Sequence, residues 1–265
     1  MVDTGVVTAI DLNADVGERD APGRGDLPLL DEVTSASVAC GFHAGGPAVM
    51  RATAEACVAR GITIGAHVSF RDREGFGRRV IPVAPARLVS DIVEQWQRLA
   101  EQVADAGGSV SFVKPHGALY AVMGSDLPVA AAVVEAVAAV GAGVLVAQAG
   151  TVVAGLAHRA GVTVVPEGFP DRGYRSDGSL TPRRDPGALV EDPAEAGRRA
   201  VSMVLRHGIE AVDGTWTAVE AQTLCIHGDA PGAAATARAV RSALEAEGVA
   251  VTSFGPAHPR STAGP

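Results

Sequence analysis

The sequence predicts an α/β fold built on parallel strands, and three observations carry that prediction. Short β-branched runs alternate with longer segments of helical pattern, proline stands where the helices would open, and the apolar runs finish in ionisable residues. Alternation of this kind implies parallel strands joined by right-handed crossovers. Both an open doubly wound sheet and a closed (β/α) barrel satisfy it, and periodicity alone does not separate them.

Taken in order, the first strand is expected over Val6 to Leu12, running into the stretch IDLNADVGE at residues 10–18. Here Ile10, Leu12, Ala14 and Val16 share one parity, and Asp11, Asn13 and Asp15 share the other. Side chains alternate across a strand, so three polar groups lie on one face. A parallel strand flanked by helices seldom has a solvent face, so that face is expected to line an interior cavity. Further strands are expected at Ser37 to Cys40, Thr63 to Ala66, Val110 to Val113, Val144 to Ala147, Thr163 to Pro166 and Thr223 to Ile226. Pro47, Pro85, Pro128 and Pro193 open the helical segments, the second running to about Ala106 and the last to His207. The Ala-rich tract Val129 to Ala149 carries Glu135 and breaks at Gly141 and Gly143, so it reads as a packed helix entering a buried strand rather than a membrane span. Gly168 to Asp192 is a long Gly, Pro, Asp and Arg-rich interruption between a strand and a helix, and a loop of that length in a compact domain is usually functional. Residues 1–254 are expected to form one domain, with a disordered tail over 255–265.

Composition narrows the function. The chain has 265 residues, 47% of them hydrophobic, and a formal net charge of −8 with no basic cluster beyond pairs such as Arg78 and Arg79. A nucleic-acid-binding surface is therefore not expected. Cys40, Cys57 and Cys225 are odd in number and form no C-x-x-C pair, which argues against a disulfide framework and for a reducing cytoplasm. The opening MVDTGVV has neither the basic segment nor the apolar run of a signal peptide. Phosphate-binding loops of the Walker type, G-x-G-x-x-G after a strand, and the G-x-S-x-G elbow are all missing.

The chemistry collects at the strand ends. His43, His67, Lys114, His116, Glu167, His227 and Asp229 each follow an apolar run, and the carboxyl ends of parallel strands are the face on which ligands bind. Lys114 with His116, and His227 with Asp229, share a parity. Lys114 is the single lysine among 22 basic residues, and a compact ammonium there can hold an anionic oxygen or be tuned by burial. His43 and His67 suit either metal ligation or acid/base work. Asp15 and Glu18 also suit a turn residue and a helix-start acid. Cys40 and Cys225 read as small core residues.

The ordered segments IDLNADVGE, SVACGFHAGGP, GITIGAHVSFRDREGFGRR, FVKPHGALY, PEGFPDRGYRSDGSLTPR and LCIHGDAPG closely resemble the LamB/YcsF family, the A subunits of 5-oxoprolinase. The resemblance spans about residues 8 to 250. It implies a seven-stranded, TIM-like (β/α) barrel similar to polysaccharide deacetylases. The implied activity is ATP-dependent opening of the lactam 5-oxo-L-proline to L-glutamate with partner subunits B and C; the alternatives are a metal-dependent carbohydrate N-deacetylase-like hydrolase and a non-catalytic lactam-binding subunit of the complex. Carried over residue by residue, it points to Asp15, Lys114, His116, Glu167, Arg183 and Asp229 as catalytic and to Asp11, Asn13, Glu18 and His227 as substrate-binding. Asp15, His43 and His67 would hold a divalent metal, like the Asp-His-His set of the deacetylases, or work as a metal-free acid/base cluster. The chain departs from the family pattern at Gly46, where an aspartate is common, and at Val68 and Pro170.

Overall fold

The structure is a computed structural model and describes residues 8–19, 26–229 and 232–255. Six strands come first, β1 (Ala9–Val16), β2 (Ser35–Ala39), β3 (Thr63–Val68), β4 (Val110–Pro115), β5 (Val144–Gln148) and β6 (Thr163–Gly168), each parallel to the next. A small antiparallel hairpin of β7 (Gly208–Glu210) and β8 (Trp216–Ala218) precedes β9 (Thr223–Ile226). β9 pairs with β6 on one side and, from Asp11↔Thr223 to Ala14↔Ile226, with β1 on the other. That last pairing closes a seven-stranded parallel barrel and decides against the open sheet. A short strand β10 (Ala250–Val251) lies beside Ala9 and Ile10, below the point where β2 begins to pair with β1.

All seven expected barrel strands are present, five of them running past their expected ends. The first ends at Val16 rather than Leu12, while Val6 and Val7 fall outside the described residues, as does the expected tail past Gly255. The hairpin and β10 were not expected; both are built of strands two or three residues long, too short to show a period.

Eight helices are described, α1 (Leu27–Leu30), α2 (Pro47–Arg60), α3 (Pro85–Asp105), α4 (Gly117–Met123), α5 (Leu127–Ala139), α6 (Val153–Arg159), α7 (Pro193–Leu205) and α8 (Ala233–Ala246). Proline occupies the first turn of α2, α3, α5 and α7, where its missing N–H costs no helical hydrogen bond. Asp126 and Asp192 cap α5 and α7 by accepting from Val129 N and Ala194 N. In α3 the buried positions Leu88, Ile92, Gln95, Leu99 and Val103 recur every three or four residues, one stripe against the barrel. The apolar core fills the space between barrel and helices, and includes Leu12, Ala14 and Val16 from the outward parity of β1. The inward parity carries the polar groups. No single helix among the described residues is long and apolar enough to cross a membrane.

The long segment after β6 is tied down by bridges at Arg172↔Leu189 and Tyr174↔Leu180. Arg172 donates to the carbonyls of Ala188 and Thr181, and the Tyr174 hydroxyl accepts from Phe169 N at 2.8 Å. It therefore forms a fixed wall at the carboxyl end of the barrel.

Candidate functional site

The barrel interior is stacked in storeys set by strand parity. At the bottom, Asp11 accepts from Thr34 Oγ1 and Ser35 Oγ at 2.7 Å each and from Thr223 Oγ1 at 2.5 Å. Burial pushes its carboxyl up to about 6, against the pull of those hydroxyls. Three hydroxyl donors occupy this carboxylate, so Asp11 ties β1 to β2 and β9 beneath the site rather than facing the mouth where substrate would enter.

The next storey centres on Lys114 of β4. Its Nζ lies 2.8 Å from Asp15 Oδ1, 2.7 Å from Glu167 Oε1, 3.2 Å from Asn13 Oδ1 and 3.0 Å from Cys225 Sγ. Asn13 completes the set by donating to Glu167 Oε1 and Thr223 Oγ1. Lys114, Asn13, Asp15 and Glu167 are all buried. Burial opposes charging the Lys114 amine, but Asp15 foremost outweighs it and holds its pKa well above the usual lysine range. Burial likewise opposes ionising Asp15, yet His67 and then Lys114 keep its carboxyl well below the usual range. Cys225 was expected to be core; it shares the inward parity of Thr223 and His227, and that signal would have placed it here. Tyr120, one helical turn after His116, puts its hydroxyl beside Glu167, and burial followed by Glu167 raises its pKa strongly.

Above this lies a second cluster. One ligand-capable atom from each of Glu18, His43, His67 and His116 falls within 4.8 Å of the others. Of the expected set of Asp15, His43 and His67, the two histidines lie in this cluster together with Glu18 and His116, while Asp15 points its Oδ1 at Lys114 and keeps Oδ2 3.4 Å from His67. The reason is local. Gly17 adopts φ +70, its N–H is held by Asp26 Oδ2 at 2.8 Å, and the reversal swings Glu18 back over the barrel axis. His116 follows β4 on the parity of Lys114, as expected.

The hydrogen bonds assign the three tautomers. Ser69 Oγ donates to the Phe70 carbonyl, so toward His43 Nδ1, at 3.1 Å, it can only accept. His67 Nδ1 donates to the Lys114 carbonyl at 3.1 Å, and His116 Nε2 to the Phe76 carbonyl at 2.9 Å. Each ring then turns its other nitrogen inward. His67 Nε2 and His116 Nδ1 face each other at 3.0 Å, and His43 Nε2 faces Glu18 Oε1 at 3.2 Å. Burial, then the neighbouring imidazoles, depress His43 well below the usual histidine range and His116 to about 3, which favours the neutral form of those two rings. Two ring nitrogens this close need a proton or a cation between them. Three imidazoles with outer N–H groups anchored to carbonyl or hydroxyl oxygens, joined by one carboxylate, fit a divalent metal by donor chemistry. Glu18 is pushed up to about 8 by burial, then by Asp15 and Asp229.

At the mouth, His227 Nδ1 and backbone N both contact Asp171 Oδ2, at 2.9 and 3.0 Å, and the ring stacks on Phe169. Asp171 was missed in the sequence because it lies in the irregular segment after β6, where no period marks it. Asp229 meets Arg78 and Arg183. Gly46 has room for a side chain where the family pattern has a carboxylate, since an added Cβ would meet nothing within 4 Å. The storeys thus bring together Asn13, Asp15, Glu18, His43, His67, Lys114, His116 and Glu167. His227, Asp229 and Arg183 stand around the rim, and Asp11 lies below. A larger cavity of about 690 Å³ opens at the opposite end of the barrel beside Thr34, Ile62 and Thr252, and contains none of these groups.

Residues 10–258 match the LamB/YcsF family. The A subunit of 5-oxoprolinase from Mycolicibacterium gilvum is 47% identical over 94% of this chain and all of its own length. The corresponding protein of Methylococcus capsulatus is 47% identical over 93% of this chain and 96% of its own. The lactam utilization protein of Thermus thermophilus superposes with a TM-score of 0.86 at 43% identity, covering 93% of this chain and 100% of that one. These matches run along nearly the whole barrel, and the chain belongs to the LamB/YcsF family.

Proposed function

We propose that the chain is the A subunit of an ATP-dependent 5-oxoprolinase, opening the lactam ring of 5-oxo-L-proline to L-glutamate in a complex with partner subunits B and C. The observation that carries the reading is one buried ammonium, Lys114, held among Asn13, Asp15 and Glu167 directly beneath the Glu18 and triple-histidine pocket. Membership of a family whose relatives are named for this activity supports it.

A five-membered amide is a poor electrophile and its nitrogen a poor leaving group. Transfer of a phosphoryl group from ATP to the lactam oxygen, releasing ADP, opens the ring carbon to water. Water addition and cleavage of the ring C–N bond, with a proton delivered to nitrogen, leave an acyl phosphate. A second water hydrolyses that to the carboxylate and phosphate. Lys114 supplies the fixed positive charge for the developing oxyanion. Glu167, in contact with Lys114, takes the proton from water. His227, oriented by Asp171 through Nδ1, delivers the proton to nitrogen. Arg183 acts at the rim on the anionic part of the substrate, beside Asp229. A divalent metal bound by Glu18, His43, His67 and His116 would supply Lewis acidity toward an oxygen of the substrate.

The test is glutamate release from 5-oxoproline and ATP by the purified chain with and without subunits B and C. The reading expects release only from the assembled complex, and its loss in Lys114→Met and Glu167→Gln complexes that still assemble. Full-rate release by either variant overturns the residue roles. Turnover of an N-acetylated sugar by the chain alone, without ATP, overturns the activity.

A further inference from the structure

Three loops meet over the barrel mouth through a single carboxylate oxygen. Asp229 Oδ2, after β9, accepts from Arg78 Nη2 at 2.5 Å, and Arg183 Nη1 stands 3.6 Å from the same atom. Arg78 belongs to the loop after β3, where its guanidinium lies over the Phe76 ring at 4.9 Å, and Arg183 to the segment after β6. A carboxylate serving a guanidinium as a finished structural pair normally uses both oxygens in a fork. Here one oxygen is shared by two cations while Oδ1 of Asp229 is buried with no hydrogen-bond partner. Such a group holds its place without satisfying it.

Alongside runs a cavity of about 410 Å³ lined by Arg183, Asp229, His227 and Asp171, with Val190 and Ile226 in its wall. Asp171 is 8% exposed, spends Oδ2 on His227, and leaves Oδ1 buried without a partner in the same cavity. The cavity therefore offers a cationic rim, an apolar wall and an unpaired acceptor. A small cyclic amide acid presents the complement: a carboxylate, methylene groups and an N–H.

We propose that Arg78 and Arg183 form a carboxylate-binding subsite for the lactam acid, occupied by Asp229 until the substrate's carboxylate displaces it; this rests on the lactam reading above. The exchange swaps one carboxylate for another between the same two guanidiniums, and frees Asp229 toward solvent.

The experiment is calorimetric titration of the full chain assembled with subunits B and C, without ATP. Three ligands are compared: 5-oxoproline, 2-pyrrolidone (the same ring without the carboxylate) and cyclopentanecarboxylate (the carboxylate without the amide). The proteins are wild type, Arg78→Gln, Arg183→Gln and Asp229→Asn. The expected result is that 5-oxoproline binds at least tenfold tighter than 2-pyrrolidone, that each arginine variant erases this advantage while leaving 2-pyrrolidone unchanged, and that Asp229→Asn tightens 5-oxoproline severalfold. Equal weakening of both amides in the arginine variants, or weaker 5-oxoproline binding in Asp229→Asn, overturns the subsite. Displacement by inorganic phosphate as effective as by cyclopentanecarboxylate assigns the arginines to phosphoryl groups and overturns it too. Cyclopentanecarboxylate binding as tightly as 5-oxoproline, with the same dependence on both arginines, keeps the subsite and overturns the lactam reading.

Discussion

Replacing Lys114 by methionine is the most direct perturbation of the interior. The methionine fills nearly the same volume, so the change is one of charge. It removes an ammonium that lies 2.7 Å from Glu167 and 2.8 Å from Asp15, all three groups buried. The two carboxylates then face each other without a counter-charge, and breaking a buried ion pair on one side costs about 3–5 kcal/mol. For a chain of this size each kcal/mol moves the melting temperature by about 2–4 °C, so the variant should melt roughly 6–20 °C lower near neutral pH. The deficit should shrink in acid, because the stranded carboxylates gain affinity for protons in the folded state and neutralise there. Differential scanning calorimetry measures both. The triple variant Lys114→Met, Asp15→Asn, Glu167→Gln removes all three charges and should recover most of the loss, since a matched neutral core is often as stable as a buried ion pair. A single variant melting within about 2 °C of wild type, below the effect that even the smallest figure allows, would show that water reaches these groups and would refute the charge argument. So would a triple variant no more stable than the single one.

Other perturbations follow from the same geometry. Asp11 is almost fully buried and its carboxyl is raised to about 6, so the folded state binds its proton more tightly than the unfolded chain does. Stability should therefore fall as pH rises from about 4 to 6, by about 3 kcal/mol from this group. Asp11→Asn should flatten that part of the curve in urea titrations, and an unchanged slope would contradict the burial. Gly77 adopts φ +65, and an added Cβ would stand 2.8 Å from His116 Cδ2 and 2.9 Å from His43 Cβ. Gly77→Ala should cost about 1–2 kcal/mol from the left-handed backbone alone and should also spread the imidazoles, seen as weakened metal binding by calorimetry. A divalent metal at about 100 times its dissociation constant should stabilise the wild type by about 2.7 kcal/mol. The stabilisation should vanish in His67→Ala, and equal stabilisation of that variant in a thermal melt would place the metal elsewhere.

Much of the barrel was legible because a parallel strand imposes a two-residue period that sequence records directly. The opposite parities of Leu12, Ala14 and Val16 against Asp11, Asn13 and Asp15 became the outer core and the inner storeys. Proline marked the start of α2, α3, α5 and α7 because few other places in a helix tolerate it. What the period could not tell was depth along the barrel axis: Asp11 and Asp15 share a face, yet one binds hydroxyls beneath the site and the other binds Lys114 within it. Residues beyond the strand ends escaped altogether. Glu18 reaches the histidines only through the reversal at Gly17, and Asp171 reaches His227 across 56 positions of chain.

The two storeys are complementary in what they lack. In the lower one every charge has a partner: Lys114 answers Asp15 and Glu167, and Asn13 bridges its neighbours. In the upper one, the inward nitrogens of three rings and the Glu18 carboxyl converge on the same point, where a proton or a cation must join them. The join between them is His67, whose Nδ1 is fixed by the Lys114 carbonyl and whose Nε2 looks toward both Asp15 and His116. Any positive charge arriving in the upper storey is therefore felt first by Asp15, and through Asp15 by the ammonium that would meet the substrate oxygen. A lower storey with all its charges paired keeps Lys114 still while the upper one fills. That is the condition for a fixed oxyanion contact, since a dipole or charge that must reorganise during reaction gives back the stabilisation it supplies.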